Sequence, residues 1–336
     1  MSKRLKKLVI GIYSLVIVLI GAGLYMVLQQ DKPLPAAVPE EVVGAELDPD
    51  VLAVLSDMDG GSDVTVPIQD LEKLLPEKVD PAWRQYAVAW KDTNLPRIAI
   101  VIDDLGLNYQ ATEELAEMPG PYTLAYLPYA EHLEYQTGRV HAAGHELMVH
   151  LPMQPKGSAA DPGTNALLAG LGPDEFQRRL IWNLSRFDGF VGVNNHMGSL
   201  LTEDAGHMVQ VMTYLKADGY LFLDSLTSPK SVGMSAAKAT GVPTIARDIF
   251  LDNIQHRDAI EAQLAKAERI ARVRGYSIAI GHPYQVTLET LKEWQKTLRA
   301  KGIALVPISQ LVGTLEARRQ HAEVMTEDAM GGQARD

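Results

Sequence analysis

The chain has 336 residues, 46% hydrophobic and 22% charged, a balance that suits a globular core and excludes a largely disordered protein. Its net charge of −11 argues against nucleic acid as a partner, because phosphate binding needs clustered Lys and Arg. It contains no cysteine, which rules out disulfides, thiolate metal sites and a cysteine nucleophile.

The first feature along the chain is an uncharged apolar run, Leu8–Leu28. At 1.5 Å per residue it spans roughly 30 Å, the thickness of a bilayer's hydrocarbon core. Lys3, Arg4, Lys6 and Lys7 precede it, so the positive-inside rule keeps the short N-terminus in the cytoplasm and sends everything after Gln29 outside. A cleaved signal peptide is the rival reading, but its apolar region is normally about 7–15 residues and Ala36-Ala37 lies well past the run. The expectation is residues 1–28 as stub and transmembrane anchor, single-pass in a bacterial inner membrane, with the C-terminal domain in the periplasm.

Residues 29–96 hold 14 acidic residues, 5 basic residues and 8 prolines, the composition of a flexible tether. Ile68–Leu75 reads as one or two helical turns, and Trp83, Ala87 and Trp90 share the spacing of one apolar helix face. Those tryptophans are read as packing residues rather than ligand contacts.

From Arg97 to about 316, short apolar runs alternate with helix-period stretches. Strands are expected at Ile98–Ile102, Tyr122–Leu127, Leu147–Leu151, Phe190–Val193, Tyr220–Leu223, Pro243–Ala246, Ser277–Ile280 and Ile303–Val306. Helices are expected at Tyr109–Glu117, Glu131–Ala143, Pro173–Phe187, Glu203–Ala217, His256–Arg274 and Thr287–Lys301. Thr202 and Gly172-Pro173 read as helix starts, while Gly144, Gly219, Gly275 and Gly302 read as stops. This alternation implies a parallel sheet, either closed into a barrel or open and doubly wound, and periodicity does not choose between them. Residues 317–336 read as a disordered tail.

Polar residues close or follow the apolar runs: Asp103-Asp104 after the first, His150 at the end of the third, Asn194-Asn195-His196 after the fourth, and Asp224-Ser225 after the fifth. Arg247, Asp248 and Asp252 follow the sixth, and His282 the seventh. Singly, each has an ordinary explanation: a helix cap for Asp103 or Asp224, a satisfied core histidine, a turn at Asn194 or Asn195. Together they place carboxylates and imidazoles at one rim of parallel strands, where barrel enzymes keep their sites. Desolvating so many polar groups without a ligand is costly. Imidazole and carboxylate without thiol suit zinc or a similar divalent ion, which activates water for amide or ester hydrolysis. Phosphate-binding loops and H-E-x-x-H are absent, and Gly233–Ala237 only approximates a nucleophile elbow.

Six ordered segments, IAIVIDDLG (Ile98–Gly106), LMVHLPMQP (Leu147–Pro155), GVNNHMGS (Gly192–Ser199), LFLDSLT (Leu221–Thr227), RDIFLDN (Arg247–Asn253) and IAIGHPY (Ile278–Tyr284), resemble the divergent polysaccharide deacetylases. The resemblance implies an irregular (β/α)7-type barrel. It makes Asp103 the catalytic base, Asp104 the first metal ligand, His150 the second histidine of an H-x-x-x-H motif and His282 the general acid. Glu146 then stands where the first motif histidine is expected, and His196 is expected to replace it, giving Asp104, His150 and His196 around zinc. Arg247 is expected to stabilise an oxyanion or pair with Asp103. Asn194, Asn195, Asp224, Asp248 and Tyr284 are expected to orient ligands or contact sugar, with Tyr126 and Tyr129 also placed for stacking. The implied activity is metal-dependent removal of acetyl or similar acyl groups from an envelope polysaccharide such as peptidoglycan. The alternative is a non-catalytic barrel that binds envelope glycan or a protein partner.

Overall fold

The computed structural model describes residues 80–318, except 92 and 158. The apolar run at Leu8–Leu28, most of the acidic segment and the tail from 319 lie outside the described residues. Among the described residues no helix is long and apolar enough to cross a membrane.

A short helix α1 (Ala82–Gln85) precedes β1 (Arg97–Leu105), α2 (Tyr109–Glu117), β2 (Thr123–Tyr126), α3 (Leu133–Ala142) and β3 (Glu146–Met153). Then come α4 (Pro173–Leu184), β4 (Phe190–Met197), α5 (Ala205–Asp218), β5 (Leu221–Asp224), α6 (Gly233–Thr240), β6 (Thr244–Ala246) and β7 (Ile249–Phe250). The series closes with α7 (Arg257–Arg274), β8 (Tyr276–Gly281), α8 (Gln285–Lys301), β9 (Ala304–Leu305) and a helix, α9, over 308–318.

All strand pairs are parallel, in the order β6-β5-β4-β3-β2-β1-β8-β7, with β9 beside the first residues of β1. The two edge strands, β6 and β7, are consecutive in the chain and joined only by Arg247-Asp248. With about 3.8 Å between successive Cα atoms, so short a link keeps both edges within roughly 11 Å of each other. The link also bonds both edges, the Arg247 amide donating to the Asp224 carbonyl and the Asp248 amide to the Ile278 carbonyl, so the sheet curls into a barrel whose seam between β5 and β8 is spanned by β6 and β7, and the open doubly wound sheet is excluded.

Strand alternation sorts the apolar residues into two layers. Ala99, Val101, Ala125, Met148, Val191, Leu223, Ile278 and Ile280 form the inner cluster, whereas Ile98, Ile100, Ile102, Leu124, Val149 and Ala279 pack toward the helices. Trp83, Ile308, Leu311 and Val312 join the inner cluster at the end where the strands begin, so α1 and α9 close the floor of the barrel. Gly192 lets β4 and β5 approach, since a Cβ there would lie 2.2 Å from the Leu221 carbonyl oxygen.

Several elements differ from expectation. The helix carrying Trp83 ends at Gln85, so Ala87 and Trp90 do not continue it, although Trp83 is buried as a packing residue. α5 starts at Ala205 with Asp204, not Thr202, accepting from the His207 amide; the Thr202 hydroxyl instead donates to the Gly198 carbonyl. β7, α6 and α9 were not anticipated: two residues are too few to display a period, and the α6 sequence GMSAAKAT has little apolar contrast.

Candidate metal centre

The inner-face alternation leads directly to the site. Ala99 and Val101 are followed on the same face by Asp103, Met148 by His150, and Ile278 and Ile280 by His282. These positions fall at the strands' carboxyl ends, so their side chains enter the top of the lumen. Asp104 is one residue out of phase. Its backbone adopts a left-handed conformation (φ 57°), which non-glycine residues other than Asn and Asp rarely accept, and this turn brings its carboxylate back to the same site.

Three ligand-type atoms converge. Asp104 Oδ1 lies 2.8 Å from His196 Nδ1 and 3.2 Å from His150 Nε2, and the two imidazole nitrogens are 3.1 Å apart. Three ligands about 2.0–2.1 Å from a tetrahedral zinc would sit roughly 3.3 Å from one another, close to what is seen. Asp104 Oδ1 is buried and accepts no hydrogen bond of acceptable direction, although both imidazoles are near it. A buried carboxylate oxygen with no donor is the condition a cation relieves. The residues present therefore fit a divalent metal.

A network behind this trio sets its protonation. His150 Nδ1 faces Asn194 Oδ1 at 2.9 Å, and Asn194 Nδ2 donates to Asp103 Oδ1 at 2.8 Å and to Ser225 Oγ at 3.2 Å. A carboxylate only accepts, so the amide nitrogen must face Asp103; the amide oxygen then requires a hydrogen on His150 Nδ1. The Nε2 lone pair is left pointing toward Asp104 and His196. Burial pushes the Asp103 carboxyl above its ordinary range, partly offset by His150, His282 and Asn194. Burial alone would lower His150, but Asp103 and Asp104 outweigh it and the net direction is upward. For Asp104, burial is outweighed by the two imidazoles, and its carboxyl is held below the usual carboxylate range.

His282 stands across the site, its Nε2 4.0 Å from Asp104 Oδ2. Its Nδ1 lies 2.9 Å from Asp252 Oδ1, while Asp252 Oδ2 accepts from the His282 amide and from Thr287 Oγ1. Burial would depress this imidazole, but Asp252 and then Asp103 and Asp104 overcome it and raise it to about 9. Asp252 follows the sixth apolar run, and the sequence alone gives it no role. Asp248 and Asp252 flank β7; the first precedes that strand and the second follows it, so only Asp252 reaches the mouth.

Other expected site residues are engaged elsewhere. Asp248 accepts from Arg274 and from the Ile278 amide, away from the centre. Asp224 is fully buried and accepts from the Leu226 amide and Ser231 Oγ, holding the turn after β5. Asn195 points to the opposite face of β4 from Asn194: it bonds the Met197 carbonyl, Thr227 Oγ1 and the Ser225 amide. Arg247 donates to the Ser225 and Leu226 carbonyls and lies 3.6 Å over the Phe250 ring, bracing the seam. Among the described residues no ion pair joins it to Asp103. Tyr126 is buried, within hydrogen-bond distance of Thr112, and Tyr129 packs beneath Gly163, whereas Tyr284 is exposed beside His282 with ring centres 5.7 Å apart. Glu146 does not stand at the centre: it is the first residue of β3, four residues below His150, bonded to Thr123 and the Ser309 amide at the barrel floor. The H-x-x-x-H spacing counted forward from His150 falls on Gln154, whose side chain accepts from the Ala169 amide.

Fold and centre together define a parallel α/β barrel with a carboxylate–imidazole cluster able to hold a metal ion at its C-terminal mouth. The family model for divergent polysaccharide deacetylases matches residues 100–312, and the chain belongs to that family. It is 36% identical over 216 residues to the uncharacterized protein YibQ of Escherichia coli K12, covering 64% of this chain and 67% of that protein. An uncharacterized protein of Haemophilus influenzae is 33% identical over 215 residues, covering 64% of this chain and 76% of its own length. The crystal structure of the uncharacterized protein ATU2773 from Agrobacterium tumefaciens C58 superposes with a TM-score of 0.67 at 27% identity, covering 69% of this chain and 95% of that one.

Proposed function

We propose that this protein is a metal-dependent hydrolase that removes acetyl or related acyl groups from a cell-envelope polysaccharide. The observation that carries the reading is the convergence of Asp104, His150 and His196 around a buried carboxylate oxygen that lacks a donor. These three residues would hold a divalent ion, zinc by the chemistry of the donor set. When bound, such an ion polarises an acyl carbonyl and makes water a competent nucleophile near neutral pH. Asp103 would accept the water's proton, and the Asn194 amide that donates to it supports this role. His282, held by Asp252, would deliver a proton to the departing amine or alcohol. Tyr284 borders the acid and would contact the sugar.

The apolar run at Leu8–Leu28 would anchor the protein in the inner membrane, the acidic segment would act as a tether, and the barrel would face the periplasm, where peptidoglycan lies. Metal analysis of the full chain in detergent tests the centre. We expect one zinc per chain, lost in Asp104→Ala and His196→Ala. Acetate release from acetylated peptidoglycan fragments, abolished by Asp103→Asn, tests the activity. Stoichiometric metal without acetate release would favour a non-catalytic glycan-binding barrel, and absence of metal after supplementation would overturn the reading.

A further inference from the structure

The two longest helices among the described residues, α7 and α8, carry their charges in two blocks. From Lys266 onward α7 holds four basic residues and one acid, and from Lys292 onward α8 does the same. Their first halves instead hold Asp258, Glu261 and Glu289 against one base, Arg257. The second halves together carry a formal charge of +6, eight bases less two acids, in a chain whose net charge is −11. A helix's own dipole favours bases in its last turn, but that preference does not make a block of this size. The last turns of α2 and α4 hold no base, α5 and α6 hold one each, and α3 holds Arg139 with His141.

Both basic ends sit at the floor, opposite the mouth. α7 leads into Tyr276, the first residue of β8, and α8 leads into β9 beside Arg97, the first residue of β1. The two ends are joined, since Arg272 donates to the Lys301 carbonyl and Lys301 to Glu268. Lys266, Arg269 and Val273 share one face of α7, and Lys292, Lys296 and Arg299 share one face of α8. All six are exposed, Val273 by 90%, more than any other large apolar side chain described. Lys266, Arg269 and Arg299 enter no ion pair among the described residues. The chain upstream of the barrel arrives at this same floor. The Trp83 amide of α1 bonds the Gly219 carbonyl at the end of α5, and the Arg97 amide bonds the Gly275 carbonyl at the end of α7.

We infer that the corner formed by the ends of α7 and α8 rests on the anionic phospholipid surface of the membrane that holds the chain, with Val273 seated at headgroup level. Bases spread over two convex helix faces around an apolar tip match a diffuse negative plane rather than one discrete anion. Each base near such a surface favours docking by about fivefold, and the attraction fades within a Debye length of about 8 Å at physiological salt. The inference rests on reading Leu8–Leu28 as an anchor, and the arrival of the chain at the floor puts the basic corner on the anchored side. Its consequence is orientation. With the floor on the bilayer, the mouth and its metal-competent centre turn away from the lipid.

The chain has no cysteine, so a single introduced thiol carries a dye at a chosen place. Ala300→Cys labels the floor corner and Gln255→Cys the mouth, both at exposed positions. The full labelled chain is reconstituted into phosphatidylcholine vesicles with or without about 30% phosphatidylglycerol, with acceptor dyes on the headgroups. Energy transfer should rise about twofold or more with phosphatidylglycerol at position 300 but not at 255, and fall back at about 0.5 M salt. Lys266→Glu/Arg269→Glu/Lys292→Glu/Arg299→Glu should abolish the rise and the four Gln substitutions should reduce it, with circular dichroism unchanged. No rise at 300, an equal rise at both positions, or a rise that survives in the Glu variant would overturn the inference. Release by inorganic phosphate at matched ionic strength would assign the corner to a small soluble anion and overturn it too. Failure of the anchor reading would show separately, as extraction of the chain from both kinds of vesicle by alkaline carbonate, and would overturn both.

Discussion

Asn194 reaches three partners through one amide, tying together His150, the Asp103 carboxylate and Ser225 of the next loop. Such partners behind a ligand typically govern metal affinity by about 10–100-fold. Asn194→Ala should lower zinc affinity by about that factor in competition titrations with the full chain, because His150 loses the acceptor that selects its tautomer. Asn195→Ala should leave zinc affinity near the wild-type value and lower the melting temperature, since its bonds hold β4 to the β5 turn. Equal effects of the two substitutions on zinc would contradict the division of labour described above. In the sequence the two asparagines are interchangeable; strand alternation sends them to opposite faces, and only the paired β5 loop shows what each meets. Asp103, Asp104, His150, His196 and His282 were legible because each lies at or just past the end of an apolar run. Asp252 was not singled out because β7 is too short to reveal a phase.

At the scale of elements, the strands run further than their apolar cores suggest. β1 includes Asp103 and Asp104, which fall in its register break between Ile102 and Leu105, and β4 extends through His196 to Met197, so His150, Asn194 and His196 sit on ladder-paired backbone. That rigidity is what places ligand atoms to within a fraction of an ångström. It also makes the β4–β5 contact intolerant. Gly192→Ala should cost about 3 kcal/mol or prevent folding, because the new Cβ meets backbone that cannot move aside; urea unfolding monitored by tryptophan fluorescence checks this. On the floor, Trp83 lies upstream of the matched family segment yet is buried against Gly313. Trp83→Ala should cost about 3–5 kcal/mol in the same measurement. A loss below about 1 kcal/mol would mean that α1 is an appendage rather than part of the barrel.

The molecule as a whole should be sensitive to pH at the end opposite the site. Glu146 is fully buried at the floor, one carboxylate oxygen has no partner, and burial pushes its carboxyl up to about 7 despite hydrogen bonds from Ser309 and Thr123. Against an ordinary value of 4.5, the folded state then binds more protons than the unfolded state between about pH 4.5 and 7. Stability from this group falls as pH rises through that window and stays lost above it, by an amount on the order of 3 kcal/mol. Glu146→Gln should therefore flatten the decline, leaving the variant more stable than the wild type at pH 8 and nearly equal to it at pH 5. Chemical denaturation at the two pH values decides this, and a constant difference would exclude Glu146 as the cause.

The order of residues alone determined the alternation of strands and helices, the absence of thiol chemistry and the set of polar groups at the strand ends. These are local properties, governed by side-chain period and residue type. Closure was decided by the fold: two edge strands separated by two residues in sequence must meet in space, and no pattern within either strand expresses that. The fold also decided which polar groups share a centre. Asp224, Asp248 and Asn195 resemble Asp103 and Asn194 in type and position, but burial against different neighbours gives them structural partners. Glu146 stands in the sequence where the family's first motif histidine is expected, yet four residues along a strand is about 13 Å, the distance from the mouth of the barrel to its floor.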